Sequence, residues 1–146
     1  GTLSSELFHK TSELYSENIS ITEVVGNGLV SLIEEGKQNS EEIKISLRSL
    51  LKPMLDAKID YLVLGCSHYP YLLPVLTELL PKQVTIIDSG EAVARQTKKV
   101  LEDHDLRTTN SETSKHLLFS NSNPAVLGNL IHAELHSNWK VEYLDF

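Results

Sequence analysis

Apolar residues follow two patterns along this chain, helical spacing and short continuous runs, and the two patterns alternate. Helical spacing predicts an amphipathic helix, whereas a short apolar run predicts a strand. On this basis we predict helices at about residues 4–16, 29–35, 40–53 and 71–80, with two more beginning at Asp88 and Asn123. We predict strands at about residues 19–25, 61–64, 84–87, 117–119 and 141–144.

Two of these helices begin with the spacing of a capping box. Asn39 and Glu42 form the first such pair, and Asp88 and Glu91 form the second. Capping also accounts for the segment Asp88-Ser89-Gly90, which otherwise resembles a ligand site. Pro53 is expected to end or bend the first of the two helices. The apolar face of that helix is expected to be buried and consists of Ile43, Leu47, Leu50, Leu51 and Met54.

Strands that alternate with helices predict an α/β fold with a mainly parallel sheet flanked by helices on both faces. Residues 61–64 are continuously apolar, as expected of a central strand that is covered on both sides. Ligands of such sheets bind beyond the carboxyl ends of the strands. No strand precedes the first helix, so we expect the chain to be part of a longer one.

Composition narrows the class of protein. The chain has 146 residues, of which 40% are apolar and 23% charged, and this is ordinary for a soluble globular protein. The formal charge of −7 and the lack of a basic stripe argue against nucleic-acid binding. No apolar run approaches the ~20 residues of a membrane span, and no signal peptide is visible. A single cysteine excludes an internal disulfide and agrees with a reducing cytosol.

That cysteine, Cys66, lies where the apolar run 61–64 ends and a polar loop begins. A thiol at a strand end is open to substrate, and neighbouring groups can shift it toward thiolate. His68 can lower the pKa of such a thiol or protonate a developing negative charge. Ser67 can donate a hydrogen bond to a substrate carboxylate. Pro70 is expected to start the following helix, whose N-terminus favours anions.

Each of these residues also has a purely structural interpretation. Cys66 can be a small buried apolar filler, because free cysteine is among the most buried residue types. His68 can be an ordinary surface histidine, and Ser67 an ordinary turn residue. Tyr69 is expected to pack rather than to take part in chemistry.

Other candidate sites are weaker. Cys66, His68 and His9 do not have the spacing of metal ligands, so we expect no metal site. No glycine-rich loop that cradles phosphate is present. Four glutamates are most simply a solvated acidic patch: Glu34, Glu35, Glu41 and Glu42.

The segment Gly65-Cys66-Ser67-His68-Tyr69-Pro70, followed further on by Ile86-Ile87-Asp88-Ser89-Gly90-Glu91-Ala92, resembles bacterial glutamate racemases. Their second active-site motif usually reads Gly-Cys-Thr-His-Tyr-Pro, so Ser67 replaces threonine and keeps the hydroxyl. Gly1-Thr2 resembles the Gly-Thr stretch after the first strand of their second lobe. Aspartate racemases generally have glutamate at the position of His68 and are the weaker match.

The resemblance implies a cofactor-independent enzyme that interconverts L- and D-glutamate with two thiols, in the bacterial cytoplasm, for peptidoglycan synthesis. By the match, Cys66 is one of the two catalytic thiols and His68 is a catalytic residue that assists it. Ser67 and His68 would bind the substrate amino acid. No cofactor and no metal are implied.

The resemblance covers only part of such an enzyme. Residues 1–89 match the second lobe without its first strand, and residues 90–146 match a tail that returns to the N-terminal lobe. The family takes its second cysteine and an Asp-Ser pair from that lobe, and this chain has neither. We therefore expect half an active site that is inactive alone, with glutamate as the small-molecule ligand. The expected partners are the missing lobe and, in its absence, a second copy in a homodimer, with no nucleic acid and no membrane.

A second departure concerns Gly26-Asn27, where many family members carry Cys-Pro. It prevents detailed transfer of roles to the helix that follows, including Glu34. Two alternatives stay open. The protein can be another racemase of the aspartate and glutamate type, or a non-catalytic binding domain on the same fold. A Cys-His hydrolase is a more remote possibility, because no orienting third residue can be identified.

Overall fold

A computed structural model describes residues 5–15, 17–109, 115–131 and 138–146. The chain divides into two compact units. The first comprises the described residues of Gly1–Ile33 and Lys37–Asp88, and the second those of Glu34–Gly36 and Ser89–Phe146. Gly1-Thr2 and the end residues of the first predicted helix lie outside the described residues. The assignment of residues 1–89 and 90–146 to two lobes of a racemase stays a prediction.

The first unit combines helices with one pair of parallel strands. Its helices are α1 (Glu6–Tyr15), α2 (Leu29–Glu34), α3 (Glu41–Asp56) and α4 (Leu73–Leu79), and a 3₁₀ helix, Tyr69–Leu72, precedes α4. Its strands are β1 (Tyr61–Val63) and β2 (Thr85–Ile87), which pair in parallel with Leu62 opposite Ile86. The prediction of an α/β fold with parallel strands is confirmed.

The core of the first unit consists of buried apolar residues from α2, α3, α4 and β1 and from the segments that flank them. Helix α3 contacts α4 and buries three residues of its predicted apolar face, whereas Leu50 and Met54 are half-buried. Burial of this apolar surface is the main favourable term in folding. The buried residues are Leu29, Ile33, Ile43, Leu47, Leu51, Leu62, Leu64, Leu72, Val75, Leu76 and Leu80.

Strand β1 is covered on one face only, and the prediction of cover on both faces is wrong. Leu62 points into the core, but Tyr61 and Val63 are 61% and 66% exposed. Successive side chains of a strand point to opposite faces, so the two exposed residues mark a single open face. An apolar run cannot tell whether both faces will be covered within the same chain.

The strand predicted at 19–25 is absent, since residues 19–26 have no regular secondary structure. A strand is stabilised by pairing and by packing of its alternate side chains. Here Ile19, Ile21 and Val25 are largely exposed. The prediction was wrong because it rested on apolar, β-branched residues alone, and this segment is not paired with another strand.

Both predicted capping boxes differ in detail from the structure. The N-cap of α3 is Ser40 and not Asn39, because Ser40 Oγ accepts a hydrogen bond from the backbone N–H of Ile43 at 3.3 Å. Pro53 does not end the helix, which continues to Asp56. At the next box the N-cap is Ser89 and not Asp88, and the Ser89 side chain makes no capping hydrogen bond.

The second unit contains the helices α5 (Gly90–Asp103) and α6 (Pro124–Leu130) and the strands β3 (His116–Ser120) and β4 (Trp139–Tyr143). The two strands are parallel, and α6 packs against both. Asn123 caps α6 as expected, since its Oδ1 accepts from the backbone N–H of Ala125 at 3.0 Å. None of the described residues of this unit is fully buried.

Candidate active site

Cys66 lies at the edge of the sheet, three residues after the end of strand β1. Leu62 and Leu64 are buried and anchor the strand, and Leu64 N–H donates to the Ile87 carbonyl at 2.8 Å, one residue beyond the regular pairing. Gly65 then leaves the sheet, and Cys66 follows in the loop. The predicted placement of the thiol just after the carboxyl end of a strand is confirmed.

The loop turns at once into a helix. Tyr69 N–H donates to the Cys66 carbonyl at 3.1 Å, and Tyr71 N–H donates to the His68 carbonyl at 3.1 Å. Pro70 lies in the first turn of the 3₁₀ helix, where its missing N–H costs nothing. The expected helix start at Pro70 is therefore present, but its first turn is 3₁₀ and not α-helical.

The three predicted site residues differ in exposure. Cys66 and His68 are half-buried, and Ser67 is exposed. The Ser67 Oγ atom lies 3.4 Å from His68 Nδ1, so the structure brings these two polar side chains together. The thiol of Cys66 is not sealed in the core, as an inert filler would be. The catalytic and substrate-binding roles of the three residues stay predictions.

Tyr69 makes a contact that could not be expected from the sequence. Its hydroxyl donates to the carbonyl of Gly26 at 3.3 Å, across 43 positions of sequence. Burial raises the pKa of the Tyr69 phenol above its usual 10.0, and the nearby Cys66 side chain raises this pKa further. The sequence shows a tyrosine three residues after the cysteine and a glycine shortly before α2, and neither indicates that the two meet.

Three further observations concern other kinds of site. Within the described residues, no group of three or more His, Cys, Asp or Glu side chains is placed to hold a metal ion. A shallow cavity in the first unit involves none of the residues from Gly65 to Pro70. It is lined by Arg48, Leu51, Lys52, Leu55, Asp56 and Leu79. In the described part of the chain, no helix combines the length and the apolar character that crossing a membrane requires.

The loop after β1 places the Cys66 thiol and the Ser67–His68 pair at the edge of the sheet. A thiol beyond a strand end can exchange a proton with a small molecule, and a serine–histidine pair beside it can donate hydrogen bonds to a carboxylate. The geometry suits proton transfer to or from a small anionic substrate. It supplies a single thiol, which can act on only one face of a substrate carbon.

The chain is similar in sequence to glutamate racemases of several bacteria. The chain is 43% identical over 101 residues to a glutamate racemase of Pseudomonas syringae, covering 69% of this chain and 37% of the relative. It is 33% identical over 144 residues to a glutamate racemase of Pseudomonas putida strain W619, covering 99% of this chain and 54% of the relative. The chain is a homologue of glutamate racemases. No family model matches it.

Solved racemase structures share the fold. The glutamate racemase isoform RacE1 of Bacillus anthracis superimposes with a TM-score of 0.81 at 23% identity, covering 99% of this chain and 54% of that one. The Escherichia coli glutamate racemase, solved with L-glutamate and the activator UDP-MurNAc-ala, gives a TM-score of 0.75 at 23% identity, covering 98% and 54%. The predicted resemblance to the C-terminal portion of glutamate racemases is confirmed, and the chain spans about half the length of the relatives it matches.

Proposed function

We propose that this chain is the C-terminal part of a glutamate racemase that interconverts L- and D-glutamate, with Cys66 as one of its two proton-transfer groups. The observation that carries the proposal is the position of Cys66. Cys66 is half-buried and lies just after the end of β1. The chain shares its fold with glutamate racemases. One racemase of this fold, from Francisella tularensis, was solved with D-glutamate bound.

The chemistry follows from the symmetry of the reaction. Inversion at the α-carbon passes through a planar carbanion, so a base must remove a proton from one face and an acid must return one to the other. For one enantiomer, the Cys66 thiolate takes the α-proton and becomes a thiol. For the other, the Cys66 thiol donates its proton to the carbanion and becomes a thiolate. No cofactor enters this scheme.

A second acid/base group must face Cys66 across the substrate. The chain contains one cysteine, so a second thiol has to come from elsewhere in the complete enzyme. This chain then carries half of the active site and does not racemise glutamate alone. The same reasoning makes the N-terminal part of the enzyme its first partner.

Ser67 and His68 are proposed to hold the substrate. When His68 Nδ1 accepts a hydrogen bond from the Ser67 hydroxyl, the proton of the neutral ring resides on Nε2. In that tautomer Nε2–H is the ring's hydrogen-bond donor, and a carboxylate or the sulfur of Cys66 can accept from it. Both roles require His68 to stay close to the thiol, and the short loop from Cys66 to Tyr69 keeps the two residues near each other.

Exposed apolar side chains support the proposed association with the rest of a longer enzyme. Helix α1 buries none of its residues, and Leu7 and Leu14 are 76% and 74% exposed. Helix α5 also buries none, although Val93 and Val100 recur on it at helical spacing. Large exposed apolar patches mark interaction sites. We propose that the N-terminal part covers the exposed apolar residues of each helix, and a homodimer is the competing outcome.

The cellular role is proposed on the same basis. D-glutamate made by such an enzyme would supply peptidoglycan synthesis in the bacterial cytoplasm. Two of the solved relatives contain bound glutamate, and this supports glutamate as the substrate class.

The test uses the complete gene product that contains this chain. Racemisation of L-glutamate and of D-glutamate is followed by circular dichroism, with both enantiomers of aspartate as comparison substrates. We expect turnover of glutamate in both directions and a loss of at least about 100-fold in Cys66→Ser, the contribution typical of a positioned acid/base group. Tyr61→Phe, on the exposed face of β1, is the control.

Three outcomes would contradict the proposal. Undiminished racemisation by Cys66→Ser would remove Cys66 from the mechanism. Faster turnover of aspartate than of glutamate would favour another racemase of the same superfamily. No turnover of either, together with a Cys66 thiol that alkylates no faster at neutral pH than the cysteine of an unstructured peptide, would favour a non-catalytic binding domain.

A further inference from the structure

The loop that carries Cys66 is tied to a distant part of the first unit by one side chain. Tyr69, the third residue after Cys66, donates its hydroxyl hydrogen to the carbonyl oxygen of Gly26 at 3.3 Å. Gly26 lies just before α2, in the stretch that lacks regular secondary structure. The hydrogen bond therefore joins the loop at the end of β1 to a segment that belongs to neither a helix nor a strand.

The close approach requires a glycine at position 26. A Cβ atom added to Gly26 would clash with the hydroxyl oxygen of Tyr69, and it would lie 3.0 Å from Tyr69 Cζ and 2.9 Å from Leu29 Cδ1. Leu29 is only 3% exposed, so it has little room to move aside. Gly26 does not have the positive φ found at Gly28 and Gly36, and the reason for glycine here is space.

Tyr69 is also joined to Cys66 at its other end. Its backbone N–H donates to the Cys66 carbonyl at 3.1 Å, which closes the turn that presents the thiol. The Cys66 side chain also contributes to the raised pKa of the Tyr69 phenol. One residue thus contacts the thiol loop through its backbone and the Gly26 segment through its ring.

We propose that Tyr69, docked on the Gly26 carbonyl, is a positioning residue that holds the Cys66 thiol in place. The docking fixes the ring, the ring fixes the backbone of Tyr69, and that backbone closes the turn at Cys66. The importance of this role for proton transfer rests on the proposed function. The docking and its effect on the thiol do not, since both are properties of this chain alone.

The first measurement is alkylation of the lone cysteine by iodoacetamide as a function of pH. The 146-residue chain is compared with Tyr69→Phe, which removes only the hydroxyl, and with Gly26→Ala, which displaces the ring. The matched controls are Tyr61→Phe, an exposed tyrosine, and Gly128→Ala, whose added Cβ meets open space.

We expect the limiting alkylation rate at high pH to rise about two- to tenfold in both test variants, the range that loss of one hydrogen bond allows. The rise follows because a half-buried thiol becomes more accessible when its turn loosens. Both controls should alkylate at the rate of the unmodified chain.

The second measurement is the titration of Tyr69, followed by NMR of protein labelled with ¹³C at tyrosine Cζ. Cys66→Ser should lower the pKa of Tyr69 in the unmodified chain, because the thiolate charge that opposes phenolate formation is gone. In the Gly26→Ala background, Cys66→Ser should change this pKa much less, since the added Cβ displaces the ring. A role confined to global stability would not produce this difference.

The proposal is overturned if Tyr69→Phe and Gly26→Ala alkylate like their controls, or if Cys66→Ser leaves the Tyr69 pKa unchanged in both backgrounds. Should Gly26→Ala not fold, Tyr69→Phe decides the alkylation test alone. A complete enzyme without racemase activity, combined with the expected alkylation and titration results, would refute the proposed function and leave the positioning role in place.

Discussion

The Tyr69 phenol is held in the neutral state by its surroundings. Burial disfavours the charged phenolate, and the Cys66 side chain adds to this effect, so the pKa in the folded state lies above 10.0. A pKa that is higher in the folded than in the unfolded chain stabilises the fold below the unfolded value. That stabilisation is lost as the pH rises through the folded value.

The raised pKa of Tyr69 predicts that the free energies of unfolding of wild type and Tyr69→Phe change differently with pH only at alkaline pH. The free energy of unfolding should fall as the pH rises above 10.0, and part of that fall should be missing in Tyr69→Phe, which cannot ionise. Urea denaturation of both proteins, at about pH 8 and at steps above pH 10, measures it. Parallel curves for the two proteins across this range would show that the pKa of Tyr69 is not raised by folding.

Single residues were predictable where the signal was local. Cys66 could be placed at a strand end because an apolar run stops there, and its half-exposed state agrees with that prediction. The contact between Tyr69 and Gly26 could not be predicted, because it depends on how two segments 43 positions apart meet in space. Neither residue type indicates such a contact, since tyrosines commonly pack against other side chains and glycines commonly lie in turns.

Among the elements, α3 shows how a cap is chosen between adjacent candidates. Asn39 and Ser40 both have side chains that can accept a hydrogen bond from a free N–H group at the helix start. In the structure Ser40 accepts from Ile43, and the helix starts at Glu41. The capping pair predicted from Asn39 and Glu42 was therefore wrong by one residue, which is within the usual uncertainty of helix ends.

The two candidates are separated by a pair of substitutions. Ser40→Ala should reduce the free energy of unfolding by about 1 kcal/mol, the usual cost of losing an N-cap side chain. Asn39→Ala should cost much less, because Asn39 lies outside the helix. Urea denaturation at neutral pH measures both. A larger loss for Asn39→Ala than for Ser40→Ala would contradict the observed cap.

Elements with strong periodicity were predicted well, and those that need a partner were not. Helix α3 follows from its apolar spacing, and Ile43, Leu47 and Leu51 are buried as expected. The strand predicted at 19–25 failed because strands are stabilised by neighbours that a local window cannot see. For the same reason the sequence could not show that β1 would have one open face.

At the scale of the whole molecule, each unit has features of a part rather than of a finished structure. The first unit has a core, yet its two-stranded sheet leaves Tyr61 and Val63 open. The second unit has no fully buried residue among those described. A two-stranded sheet is marginally stable by itself and depends on what packs against it. These features agree with the proposal that the chain functions inside a protein about twice as long.

The most direct test of the proposed mechanism is exchange of the substrate α-proton with solvent deuterium, measured separately for each enantiomer. The complete enzyme is incubated with L-glutamate or D-glutamate in D₂O, and deuterium at the α-carbon is followed by NMR. Wild type should exchange both enantiomers. Cys66→Ser should lose exchange from one enantiomer by at least about 100-fold and retain slow exchange from the other, through the remaining base. Equal and undiminished exchange from both enantiomers would contradict the assignment of Cys66 as a catalytic base.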